Sequence, residues 1–228
     1  MAATGYSSRR SSAMVSRLRA SAEAAAQVIE GRTRQQQAVV TRRVEYYDEE
    51  SVAGEARYDV FINHRGVDTK RTVARLLYER LARDGVNGFL DNMSMRPGDR
   101  LEDRISAGIR ECSVAVAIFS PSYCHSEYCL RELAMIVESR KAIIPIFYNI
   151  KPSELILPQA IADSDVYLPR DLERFRFALR EAKNTVGITY DSATGDMAEL
   201  VSAAAEAVFY NIEKMEKVQR REMIVSRL

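Results

Sequence analysis

The sequence predicts an α/β domain, a parallel sheet of short strands covered by helices on both faces. Three observations lead there. From Tyr58 onward, four short runs are apolar throughout and rich in β-branched and aromatic residues, as strands buried on both faces are. Helical periodicities fill the intervals between these runs. The connections are short, so strand and helix alternate, and right-handed crossovers join successive parallel strands.

The first strand is Val60 to Ile62. Val73, Leu76, Leu77 and Leu81 then recur at the spacing of one helix face, and Asp84-Gly85 ends that helix in a turn. Gly88 to Leu90 is the second strand, and Asp99 is placed to cap a helix whose apolar side is Leu101, Ile105 and Ile109. Val114 to Phe119 is the third strand, Leu130, Leu133, Ala134 and Val137 mark the next helix, and Ile143 to Phe147 is the fourth strand. The stretch from Ile150, carrying Pro152, Pro158 and Pro169, reads as loop. A helix from Leu172 to Lys183, a fifth strand from Val186 to Tyr190 and a long final helix from Met197 to about Arg221 complete the chain. In that last helix Leu200, Ala204, Val208 and Ile212 fall at steps of four.

Bulk properties narrow the classes. At 228 residues there is room for one good core with extensions. Lysine and arginine number 33 against 32 acidic residues, so the net field announces neither nucleic acid nor a membrane surface. The balance hides a basic head: Arg9, Arg10, Arg17, Arg19, Arg32, Arg34, Arg42 and Arg43 face only Glu23 and Glu30 before Val44. Residues 1–56 read as a basic extension, disordered or helical, with Tyr46 to Gly54 as a linker; its Ser- and Arg-rich, acid-poor composition leaves open an organelle transit peptide or a flexible arm. Cys112, Cys124 and Cys129 are an odd number without a Cys-x-x-Cys pair. Neither a disulfide framework nor a zinc site follows, His125 beside Cys124 adds no metal-ligand spacing, and a reducing compartment is the simpler setting. No apolar run approaches the ~18 residues that span a bilayer.

Ligands of open parallel sheets bind at the carboxyl ends of the strands. The residues there are Asn63, His64, Arg65 and Gly66 after the first strand, Asp91 to Asp99 after the second, and Ser120 to Glu132 after the third. Arg65 suits a forked contact with phosphate oxygens, with Gly66 letting backbone approach closely, and it equally suits a salt bridge at a helix start. Glu132 lies one turn beyond Tyr128 on the same helix face, at a solvent-facing strand tip. Tyr128 is suited to stacking on a flat ligand. A helix-face glutamate is also commonly a surface group, here with Arg131 or Arg140 as partner. No Gly-x-Gly-x-x-Gly and no Gly-x-x-x-x-Gly-Lys-Ser/Thr occurs, which removes Rossmann dehydrogenases and P-loop NTPases. A phosphoacceptor receiver domain needs an aspartate at the third strand tip and an acidic pair after the first; Ser120 and Asn63-His64 stand there instead.

Two segments together resemble the plant TIR (Toll/interleukin-1 receptor homology) domain family. They are Tyr58-Asp-Val-Phe-Ile-Asn-His-Arg-Gly-Val-Asp-Thr-Lys70 and the helix start Cys129-Leu-Arg-Glu-Leu133. The resemblance runs from about Arg57 to at least Tyr190 and implies a flavodoxin-like TIR fold, with a five-stranded parallel sheet, over residues 57–216, followed by a tail from 217 to 228. It further implies cleavage of the nicotinamide–ribose bond of NAD+ or NADP+ on self-association, releasing nicotinamide and ADP-ribose or variant cyclic ADP-ribose signals in plant immunity and cell death. NAD+ or NADP+ is then a substrate and no cofactor is required. Glu132 takes the catalytic position; Asn63, His64, Arg65, Gly66, Ser126 and Tyr128 line the substrate site; Arg96, Pro97, Gly98 and Asp99 form the loop that contacts a neighbouring subunit. One carboxylate suffices in principle, because nicotinamide is already a cation on the ribose and leaves neutral, so only the charge growing on the sugar needs stabilising.

The sequence departs from the family at Asn63-His64, where Ser-Phe is common, at Val67 for Glu, and at Tyr128 for Trp. Ending one helix past the domain, the chain looks like a TIR-only protein of monocot type. The implied partners are other copies of itself and other TIR proteins, with lipase-like immune complexes sensing the products; the implied site of action is the cytoplasm and nucleus, with plastid or mitochondrial targeting by the head as the alternative. The competing function is a non-catalytic adaptor acting through TIR–TIR contacts.

Overall fold

The computed structural model describes residues 58–94, 98 and 100–225. The expectations for residues 1–56 and for Arg96, Pro97 and Asp99 lie outside these residues.

Within them, β1 (Val60–His64), β2 (Gly88–Phe89), β3 (Val114–Phe119), β4 (Ala142–Tyr148) and β5 (Ile188–Tyr190) form one parallel sheet in the order β2-β1-β3-β4-β5. The helices are α1 (Gly66–Thr69), α2 (Val73–Arg83), α3 (Asp91–Ser94), α4 (Leu101–Glu111), α5 (Glu127–Glu138), α6 (Gln159–Ala162), α7 (Pro169–Asn184) and α8 (Met197–Val225). Single 3-10 turns occupy Tyr123–His125 and Pro152–Glu154.

The period-two alternation of strand side chains sorts the core onto two faces. Val60, Ile62, Val114, Val116, Ile118, Ile144 and Ile146 point to one face, where α2 contributes Val73, Leu77 and Leu81 and α8 contributes Leu200, Ala204, Val208 and Ile212. Ala117, Phe119 and Phe147 point to the other, against Leu130, Leu133 and Ala134 of α5 and Phe175, Ala178 and Leu179 of α7. On that second face Phe61, Phe89 and Ala115 pack with Ile105 and Ile109 of α4. Fully burying each large aliphatic or aromatic side chain contributes roughly 1.5–3 kcal/mol, so the two layers supply most of what holds the sheet.

Several boundaries differ from the sequence reading. β1 runs two residues past Ile62, because Asn63 and His64 continue the ladder opposite Ala117 and Ile118. Leu76, expected on the buried face of its helix, is 43% exposed, and Ala74 is buried instead. Leu101 is likewise 46% exposed, while Ile105 and Ile109 go into the core. α4 starts behind Arg100, which makes no side-chain cap. The supposed loop after Ile150 holds α6, and α7 begins at Pro169, whose missing N–H is no loss at the first helical position.

Pro145 sits inside β4, facing Ala117 of β3. β5 pairs with β4 only from Ile146 onward. Gly187, just before β5, passes so close that a Cβ there would come within 2.5 Å of the Pro145 carbonyl oxygen.

Candidate active site at the β1–β3 switch point

The crossover from β1 leads outward to β2, whereas β3 returns to the opposite side of β1. Such a reversal opens a crevice at the carboxyl ends of the two central strands, where open α/β sheets bind ligands. Asn63 and His64 end β1 there, Ser120 follows β3, and α5 brings Glu132 back over the same point.

Glu132 is partly buried, and its Oε2 accepts a hydrogen bond of 2.7 Å from Asn63 Nδ2. Burial pushes the carboxyl up from 4.5 to about 7; the Asn63 bond opposes this, and Asp91 adds to the rise. The solvent-facing position expected for this glutamate is therefore corrected. Its expected surface partner is corrected as well: Arg131 pairs with Glu127 at 2.5 Å, one turn back on the helix.

Asn63 is 0% exposed. Its Oδ1 accepts from the hydroxyl of Tyr123, which also lies 3.1 Å from the Cys129 carbonyl. With no exposed surface, Asn63 does not line a substrate site as the resemblance implied. His64 is buried too, its Nε2 has no hydrogen-bond partner among the described residues, and burial lowers its pKa, with Asp91 opposing. At neutral pH it is an uncharged imidazole.

Arg65 is half-buried and donates to the Ser122 carbonyl, which holds the loop after β3 against the start of α1. Neither the phosphate contact nor the salt bridge is needed to explain its placement. Asp68 adds a second tie by accepting from the hydroxyls of Ser120 and Ser122. Among the described residues an added Cβ on Gly66 would meet Lys70 Cδ at 3.8 Å, ordinary contact, so none of them demands glycine there. Ser126 is the N-cap of α5, its hydroxyl accepting from the Cys129 amide at 3.4 Å. Tyr128 is 62% exposed and free to stack. Gly98 is exposed with φ +100, a conformation that favours glycine.

Asp91, at the strand end named from the sequence, acts on both Glu132 and His64, whereas Tyr123 and Asp68 belong to this centre without having been singled out in the sequence. Tyr123 lies within the Ser120–Glu132 segment and Asp68 within the Asp-Thr pair, yet only the fold shows that one reaches Asn63 and the other the serines. Cys112, Cys124 and Cys129 are buried free thiols. Among the described residues no group of three or more His, Cys, Asp or Glu is arranged to hold a metal ion, and no helix is long and apolar enough to cross a membrane.

A parallel sheet of this order, with a glutamate delivered to its switch point by the helix after β3, is a flavodoxin-like α/β fold with a candidate acidic site. The family profile for the TIR domain matches residues 57–225, and the chain belongs to that family. The chain is 78% identical over 232 residues to a Brachypodium distachyon protein named Probable 2' cyclic ADP-D-ribose synthase BdTIR, covering 100% of both. It is 34% identical over 142 residues to TMV resistance protein N of Nicotiana glutinosa, a match spanning 57% of this chain but 12% of that protein. Among solved structures it resembles the TIR domains of the activated Roq1 resistosome that directly recognizes the pathogen effector XopQ. The TM-score is 0.60 at 26% identity, covering 66% of this chain and 99% of that one.

Proposed function

We propose that this chain is a TIR NAD+ hydrolase that cleaves the nicotinamide–ribose bond of NAD+ or NADP+ when it self-associates. The observation that carries the reading is Glu132, a carboxylate at the switch point, held by Asn63 and titrating at about 7. In the reaction the bond from the ribose anomeric carbon to the pyridinium nitrogen breaks, and its electron pair stays with nicotinamide, which leaves neutral. Positive charge develops on the ribose, beside the ionised Glu132. Capture by water, with loss of a proton, gives ADP-ribose; capture by a 2' hydroxyl of the same molecule gives a cyclic product. The name of the Brachypodium relative supports the cyclic outcome.

Self-association is supported by the likeness to resistosome TIR domains. It would be completed by the loop around Gly98, and products would act in plant immune signalling and cell death, from the cytoplasm. The test is nicotinamide release from NAD+ at high protein concentration. The parent should release it, and Glu132→Ala should lower the rate by at least about 100-fold, the scale for losing a main electrostatic group. A parent that turns over no more than Glu132→Ala would overturn the enzymatic reading in favour of the adaptor.

A further inference from the structure

We propose that Asn63 and Tyr123 form a positioning relay that holds Glu132 in its reactive orientation and ionisation state, and that Asn63 contacts no substrate. The inference rests on Glu132 being the catalytic carboxylate. It begins from three elements meeting at one buried point: the end of β1, the 3-10 turn after β3 and the second turn of α5.

Hydrogen-bond polarity fixes the relay. An ionised carboxylate only accepts, so the end of the Asn63 amide facing Glu132 must be its NH2. The opposite end is then the carbonyl oxygen, which requires a donor, and the Tyr123 hydroxyl supplies one. Burial and the negative charge of Glu132 both keep that phenol protonated well above its ordinary range. Its ring is 0% exposed and edge-on to Phe119 at 4.7 Å, so the hydroxyl has little freedom to leave. Tyr123 thus selects the amide orientation, and the amide orientation presents a donor to Glu132.

The surroundings make this donor necessary. Asp91, at the start of α3, bears on Glu132 with the same sign of charge. Cys129, on Glu132's own helix, is a neutral thiol that burial pushes up to about 12, the Ser126 hydrogen bond opposing and Glu132 adding to the rise, with smaller opposite effects of Arg65 and Asp68. Burial lowers the pKa of His64, and Lys70 lies 3.9 Å from Asp91. Asn63 is therefore the group whose hydrogen bond holds the carboxyl down against burial.

The experiment measures pH profiles of nicotinamide release by the full chain, with parent and Glu132→Ala as reference. A carbon-13 NMR titration of the Glu132 carboxyl accompanies it. Asn63→Leu should move the acid limb upward by about 1–2 pH units, the scale for losing a charge-assisted bond. At pH 7, where the parent carboxyl is about half ionised, this lowers kcat by roughly 5- to 50-fold, much of it recovered by pH 9, with KM unchanged. Tyr123→Phe, which removes one oxygen from a retained ring, should shift the limb and the NMR midpoint the same way by less. It decides the matter if Asn63→Leu does not fold. A raised KM with the limb unmoved would assign Asn63 to substrate binding and overturn the relay, as would unchanged midpoints in both variants. If the parent itself is inactive, the enzymatic reading fails, and the NMR midpoints alone support or overturn the relay.

Discussion

Glu132→Gln should stabilise the protein at alkaline pH while abolishing NAD+ cleavage. The carboxyl titrates at about 7 in the fold against 4.5 in the unfolded chain. Between these values the native chain retains a proton that the unfolded chain has released. Stability therefore falls as pH rises through this window and stays reduced above it. At ~1.36 kcal/mol per pKa unit, a rise from 4.5 to about 7 corresponds to roughly 3 kcal/mol at pH 8 and to almost nothing near pH 4.5. Glutamine carries no charge, and its amide oxygen still accepts from Asn63. The stability advantage of the variant should accordingly grow by about 3 kcal/mol from pH 4.5 to 8. For a domain of this size that is roughly 6–12 °C in Tm. Since the chain has no tryptophan, urea unfolding is followed by far-ultraviolet circular dichroism, at pH 5, 6, 7 and 8 for both proteins. All other titrating groups cancel in the difference. An advantage independent of pH would refute the buried, high-pKa carboxylate.

Specific NAD+-cleaving activity should rise with protein concentration, and Gly98→Arg should suppress that rise without unfolding the domain, because a side chain at φ +100 distorts the loop; activity constant per molecule across a dilution series would point to a self-sufficient monomer. Gly187→Ala should lower stability by roughly 1–3 kcal/mol, since its methyl must displace the Pro145 carbonyl it would meet at 2.5 Å; an unchanged urea midpoint would contradict that close approach. A chain beginning at Glu55 should keep its nicotinamide release within about twofold, because the family match starts at residue 57; loss of activity with an intact fold would give the head a direct role.

The sheet was legible because both-face burial makes β3 and β4 continuous apolar runs, and the step-of-four pattern of Leu200, Ala204, Val208 and Ile212 survives intact as the buried face of α8. The short helices were not: α1, α3 and α6 carry too few residues for a periodicity to register. At the site, motif spacing placed Glu132, Asn63 and Arg65 near one another but misjudged their surroundings. Polar Asn63 and His64 seemed to end the strand, whereas the ladder with β3 carries both into the interior. Ser126, expected at the substrate site, has in addition the local task of capping α5. Tyr123 has no local signature, since its function depends on a residue sixty positions upstream.

The bond between Asn63 and Glu132 closes a gap of 69 residues. Such a contact forms only after the strand pairing that lies between its ends, so it belongs to the late, non-local part of folding. During synthesis at about 5–20 residues per second, Glu132 is made roughly 3–14 s after Asn63. A nascent chain thus exposes strand edges and apolar helix faces well before it owns a complete centre. Premature termination anywhere ahead of α5 yields fragments without the carboxylate. An activity that consumes a central metabolite is in this way absent from every incomplete translation product short of that helix, while β4 and β5 are still to be made when the carboxylate emerges.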